Sequence, residues 1–223
     1  MTTSNVLIVF DLDGTLVDAF GDIAAALNHA LAQSGLPLHD LATIRSWVGN
    51  GLHVLCQRAL PPESAHLDQV VTDAARRYYE ENPADHAQLY PGIRELLQGL
   101  KARGLRLAIL TNKPDSITQA LCRELGLDQV MEVIAGGRAG VPLKPSPLAL
   151  QELARRASAE NVVVVGDGMP DAELTQRVRC PFIGVSWGIA PETSLAAYGP
   201  VAHDVEELAM FLDTVLDGLA SDR

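Results

Sequence analysis

Lysine, cysteine and long apolar runs are all scarce in this chain. It has three lysines, Lys101, Lys113 and Lys144, and its formal net charge is −11. Binding to a nucleic-acid backbone needs clustered Lys and Arg, so that class of partner is excluded. The paired arginines Arg76-Arg77 and Arg155-Arg156 fall on expected helices and read as solvated faces. Three cysteines, Cys56, Cys122 and Cys180, lie far apart without a CxxC pair. That spacing excludes a disulfide framework or a zinc knot, and each thiol is expected as a small buried hydrophobe in a reducing compartment. No apolar run reaches the length that crosses a bilayer. The opening MTTSNV has no basic residue and no cleavage site, so no secretory leader is expected and the cytoplasm is. There are no internal repeats, low-complexity tracts or charge blocks. With 48% apolar and 20% charged residues, the 223-residue chain is expected to fold around a full core, with room for a second small domain.

What the chain does have begins at VLIVFDLDGTLVD, Val6 to Asp18. The run Val6–Phe10 is short, β-rich and apolar at every position, which reads as a strand buried on both faces of a parallel sheet. Residues two apart in extended chain point to the same side. Asp11 and Asp13 therefore stand together at the carboxyl end of a buried strand. Ionised carboxylates that close repel one another and resist burial unless something pairs with them.

Further strands are expected at 105–110, about 131–135, 161–165 and 182–186. Helix-period segments are expected at 92–102, 115–125, 146–157 and 204–219, with Pro near the starts and Gly past two of the ends. Strands alternating with helices predict an α/β fold, a doubly wound, mostly parallel Rossmann-like sheet covered on both faces. The rhythm breaks between about 18 and 88, where no convincing strand occurs and helices are expected near 20–34, 40–47, 51–59 and 64–81. This is a helical insertion of roughly 70 residues, far longer than an ordinary βα loop. The expected organisation is a core of residues 1–17 and 89–223 and a helical cap of residues 18–88. Placed after the first strand, the cap would sit over the edge of the sheet where ligands bind, as a lid.

Each later strand end carries polar chemistry. Thr111 and Asn112 follow the second strand, Asp167 and Asp171 follow the fourth in GDGMPD, and Lys144 precedes Pro145 between strands three and four. The series DLDGT, TN, KP and GDxxxD resembles the four motifs of the haloacid dehalogenase superfamily, over nearly the whole chain. WVGNGLHVLCQRAL (47–60), LYPG (89–92), TNKP (111–114) and KPSP (144–147) further resemble the bacterial phosphoglycolate phosphatases within it.

The resemblance implies a Mg²⁺-dependent phosphomonoesterase acting on a small phosphorylated metabolite, with 2-phosphoglycolate the leading substrate. Asp11 would be the nucleophile that forms an aspartyl-phosphate, and Asp13 the acid and base. Gly14, Thr111, the Asn112 backbone and Lys144 would cradle the phosphoryl group. Asp11, the Asp13 carbonyl and Asp167 would ligate the metal, with Asp171 orienting its water shell or supporting Lys144. Gly49, Asn50 and Gly51 are the cap candidates for substrate selection.

Taken singly, many of these residues have plainer roles. An Asp at a strand end often only caps a helix, Thr111-Asn112 alone would be a turn, and Lys144 alone would be a surface lysine. The joint motif favours function. Lys113 is expected at the surface or the rim of the site. Trp47 is expected to pack inside the cap, while Arg45 and His53 either pack there or face substrate. His29, His39, His66, His86 and His203 show no ligand spacing and default to the surface or to local hydrogen bonds. The chain departs from its relatives at Ala19, where a small polar residue is common, and at Arg138, where an acidic one is.

Sister reactions are narrowed by the same residues. A dehalogenase lacks the second aspartate of the first motif, and Asp13 is present. A phosphonatase needs a lid lysine, and residues 18–90 contain none. A phosphatase for a sugar phosphate or pyrophosphate, and a sugar phosphomutase, remain as alternatives. A non-catalytic binding protein on this fold would be marked by loss of Asp11 or Asp13, and both are present.

Overall fold

The computed structural model of the protein describes residues 6–221. The strand expected first is β1, Val6–Phe10, fully buried. Its five apolar residues divide between two faces. Val6, Ile8 and Phe10 pack with Ile93 and Leu97 of α5 (Ile93–Ala102) and with Leu208 and Leu212 of α10 (Val205–Ser221). Leu7 and Val9 pack on the other face with Leu150 and Leu153 of α7 (Pro147–Arg156) and Leu174 of α8 (Met169–Val178). Each such side chain contributes about 1.5–3 kcal/mol on full burial, which is why no polar residue interrupts the run.

Around β1 lie β4 (Arg106–Pro114), β5 (Val133–Gly137), β6 (Asn161–Gly166), β7 (Phe182–Val185) and β8 (Val201–Ala202). They form a six-stranded sheet in the order β5-β4-β1-β6-β7-β8, with every neighbouring pair parallel. The chain builds the β4–β5 side first, then crosses to β6–β8. The direction of winding therefore reverses at β1, and a crevice opens at the carboxyl ends of β4, β1 and β6. The doubly wound α/β sheet is the one expected.

Between β1 and β4 run α1 (Phe20–Gln33), α2 (Leu41–Trp47), α3 (Leu52–Ala59) and α4 (Asp68–Glu81). They share a core of their own, including Leu27, Leu31, Ile44, Leu55 and Val71, which Ile117 of α6 (Asp115–Glu124) joins from below. Trp47 packs against this core with its ring edge-on to His39.

Several elements were not foreseen. The expected helix at 64–81 is α4 preceded by a 3-10 turn over Pro62–Leu67. The strand expected at about 131–135 is displaced to 133–137. No helix was expected at 169–178, because a mixed polar stretch with Pro170 has little apolar period, yet proline suits a first helical turn and α8 forms there. β8 and a two-stranded antiparallel ribbon, β2 (Val17–Asp18) against β3 (Gln88–Leu89), are too short for any period to reveal. The ribbon ties together the two passages into and out of the helical segment. Buried Asp22 supports it by accepting from the amides of His86 and Ala87, each at 2.9 Å.

Candidate active site

The carboxyl ends of β1, β4 and β6 bring Asp11, Thr111 and Asp167 to one edge of the sheet. The Asp11 amide donates to the Val165 carbonyl at 2.9 Å, extending the β1–β6 ladder one residue and fixing where the carboxylate stands. Past it the chain turns sharply through Gly14, whose φ is +85°. A β-carbon there would lie 2.3 Å from Asp167 Oδ2, so only glycine lets the turn approach that carboxylate. Gly188 does the same from the other side, where a β-carbon would lie 2.1 Å from Asp167.

Asp167 is buried and held by two donors, the Thr15 hydroxyl at 2.7 Å and the Ile189 amide at 2.9 Å. Asp171, in the first turn of α8, is equally buried. Burial, and next the charge of Asp11, push both carboxyls well above their usual range. Oxygens of Asp11, Asp167 and Asp171 lie within 4.8 Å of one another, the one such acidic group among the described residues. Among the described residues, Lys144 is the sole cation bonded to them. Three crowded carboxylates, one fixed by neutral donors and two sharing a single ammonium, suit a hard divalent cation with oxygen ligands. Asp171 thus stands among the candidate ligands as well as beside Lys144.

Lys144 is 4% exposed. Its ammonium reaches Asp11 Oδ1 at 2.9 Å, Asp171 Oδ1 at 2.7 Å and the Leu110 carbonyl at 2.7 Å. Burial works against its charge, but Asp11 and Asp171 outweigh burial and hold the ammonium above its ordinary value. Asn112 fixes the loop that carries it: its side-chain oxygen accepts from the Lys144 amide at 2.8 Å and its amide nitrogen donates to the Lys144 carbonyl at 3.0 Å. The same nitrogen donates to the Gly49 carbonyl at 2.9 Å, so Asn112 also latches the α2–α3 loop over the site. Of the three cap candidates, Gly49 and Gly51 lie against Asn112, while the Asn50 side chain accepts from Arg58 at 2.8 Å.

One expectation is overturned. Lys113 is not a surface or rim residue but is 5% exposed, with its ammonium 3.0 Å from Asp13 Oδ1. It also donates to the Tyr79 hydroxyl of α4 and stands 4.2 Å from the centre of that ring. β4 continues through Pro114, so Lys113 is the last inward position of a buried strand, where the sequence suggested a loop. Burial pushes the Asp13 carboxyl up, with Lys113 opposing it. Tyr79, whose phenol burial holds well above its ordinary value, carries no sequence signal that separates it from Tyr78. Thr15 was given no role from the sequence, and its place inside DLDGT is the signal that could have marked it. Arg45 neither faces the cavity nor merely packs: it donates to the carbonyls of Trp187 and Gly188 at 2.9 and 3.0 Å, next to the amide that holds Asp167. His29, His39, His53 and His203 make local contacts only.

Two spaces meet at Asp11 and Asp13. One, of about 50 Å³, lies beneath the helical segment between Thr111, Asn112 and Lys113 below and Ile23, Leu52 and Leu55 above. The other, of about 390 Å³, opens past Trp47, Arg58 and Asp167. A half-buried nucleophile candidate, a second carboxyl beside it and Lys113 line these walls, with Lys144 and the metal-suited acidic group against them.

A family model described as haloacid dehalogenase-like hydrolase matches residues 8–185. Among curated relatives, a phosphoglycolate phosphatase of Haemophilus influenzae (strain 86-028NP) is 34% identical over 198 residues, covering 84% of this chain and 88% of that one. One of Yersinia pestis is 35% identical over 199 residues, covering 86% of each chain. A crystal structure described as a predicted phosphoglycolate phosphatase from Haemophilus somnus 129pt superposes with a TM-score of 0.84 at 30% identity, over 95% of this chain and 99% of that one.

Proposed function

Since the chain belongs to the haloacid dehalogenase-like hydrolases and is a phosphoric monoester hydrolase, we propose that it is a Mg²⁺-dependent enzyme that hydrolyses 2-phosphoglycolate to glycolate and phosphate. The observation that carries the reading is the convergence of Asp11, Asp13 and Thr111 on one cavity, with the Lys144 ammonium bonded to Asp11 at its edge. Names borne by relatives that cover most of the chain support the substrate.

In this reading Asp11 Oδ attacks phosphorus and forms a new P–O bond as the bond to the leaving oxygen breaks. Asp13 gives its proton to that oxygen. Water then attacks the aspartyl-phosphate, Asp13 takes up its proton, and phosphate leaves with the Asp11 carboxylate restored. A poised acid and base contributes on the order of 10²–10⁴-fold. The Lys144 ammonium and the Thr111 hydroxyl face the phosphoryl oxygens, in a site dry enough that fixed charges act strongly. Asp11, Asp167 and the Asp13 carbonyl would hold Mg²⁺, with Asp171 supporting Lys144. The bound ion supplies neutralisation of the crowded carboxylates and of the phosphoryl charge. Residues 18–88 act as a cap over the core of 1–17 and 89–223, and Gly49, Asn50 and Gly51 belong to its inner surface. The substrate is a small metabolite, met in the cytoplasm.

The test is phosphate release from 2-phosphoglycolate, sugar phosphates, pyrophosphate and an aryl phosphate, each with Mg²⁺ and with chelator. Preference for 2-phosphoglycolate, lost with chelator, supports the proposal. Preference for a sugar phosphate or pyrophosphate would overturn the substrate and keep the chemistry.

A further inference from the structure

We propose that Lys113 and Tyr79 form a subsite that binds a carboxylate on the leaving group, and so select short anionic phosphomonoesters. The inference rests on the phosphatase reading above and adds residues to it.

Displacement from Asp11 sends the leaving group toward Asp13. The Lys113 ammonium is 3.0 and 3.1 Å from the two Asp13 oxygens. Atoms one or two bonds beyond the leaving oxygen therefore come within reach of Lys113. The space they enter is small, about 50 Å³. By the same measure one water needs about 10–15 Å³, so only a skeleton of a few atoms fits beside the phosphoryl group.

The upper walls of that space are the apolar side chains of Ile23, Val48, Leu52 and Leu55. They give an anionic end no partner, and burying a charge unpaired is strongly unfavourable. Lys113 is the one cation among the residues lining this cavity, and Tyr79 is the hydroxyl from the helical side. Lys144 is already committed to Asp11, Asp171 and the Leu110 carbonyl, and Arg58 lines only the outer opening.

The Tyr79 hydroxyl is set up to donate. It accepts from Lys113, and its own proton has no acceptor among the described residues. A donor left unspent beside a buried ammonium is complementary to a carboxylate, which accepts at both oxygens. A residue that only fastened Asp13 in place would need no such second donor.

The experiment compares kcat/KM for 2-phosphoglycolate with that for 2-hydroxyethyl phosphate, which has the same skeleton with a neutral end. The wild type, Tyr79→Phe and Lys113→Met are each measured. Tyr79→Phe keeps the ring over Lys113 and removes only the hydroxyl, so folding is preserved. The wild type should favour the carboxylated ester. The preference should fall about 10-fold in Tyr79→Phe and up to about 100-fold in Lys113→Met, mainly through KM for that ester. If both esters slow equally and the preference survives, Lys113 only positions Asp13 and the subsite is wrong while the substrate stands. If the wild type shows no preference, the subsite and the 2-phosphoglycolate reading fall together.

Discussion

Lys144 Nζ stands 2.9 Å from Asp11 Oδ1 in a site where the lysine is 4% exposed. The same ammonium bonds Asp171 at 2.7 Å, so one lysine positions the proposed nucleophile and offsets the acidic group behind it. Removing it leaves two carboxylates without their cation. Lys144→Met should cost about 3–5 kcal/mol in chelated protein, read by urea unfolding. Its phosphatase activity should fall about 10²–10³-fold.

The carboxyls of Asp167 and Asp171 are raised by burial first and by Asp11 next. A carboxyl whose folded pKa is raised gives stability that is present below its unfolded pKa and lost as pH rises through the folded value. A bound divalent cation cancels that loss by favouring the ionised form. The gap between melting temperatures with Mg²⁺ and with chelator should therefore widen as pH rises from about 4 toward neutrality. A gap that is constant across this range would place the metal elsewhere.

Gly14 is needed twice, for its φ of +85° and for the missing β-carbon beside Asp167. Gly14→Ala should lower stability by about 1–3 kcal/mol. It should also displace Asp167 and weaken Mg²⁺ binding about 10–100-fold, measured by calorimetric titration.

Tyr90 Oη is buried without a hydrogen-bond partner, the one such side-chain atom among the described residues. Its ring lies 6.0 Å from that of Trp187, away from the cavity beneath the helices. Tyr90→Phe removes the unpaired hydroxyl and keeps the ring. Stability should be unchanged or up to about 1 kcal/mol higher, with kcat/KM for the best substrate unchanged. A loss above that size would mean the hydroxyl is bonded in solution.

The sheet was legible because residues 6–10 of β1, 107–110 of β4 and 163–165 of β6 are buried and apolar at every position, so their runs stand out. Asp11, Asp13, Lys144 and Asp167 were legible because each stands at the end of such a run or in the loop between two of them. What could not be read was the approach of the helical segment. Lys113 looks like rim until Tyr79 descends from α4 to meet it, and nothing in RRYYEE marks which tyrosine does so. Arg45 and Asn112 likewise join residues 142 and 63 positions apart, through contacts with backbone carbonyls that leave no trace in side-chain pattern. Short elements such as β2, β3 and β8 hold too few residues to show a period.

The central claim is that Asp11 carries the phosphoryl group. Rapid acid quench during turnover of 2-phosphoglycolate, followed by borohydride reduction, converts an aspartyl-phosphate to homoserine, which peptide mass spectrometry locates. The account predicts homoserine at position 11 in the wild type, and neither homoserine nor turnover in Asp11→Asn. Homoserine at another aspartate, or turnover surviving in Asp11→Asn, would contradict it.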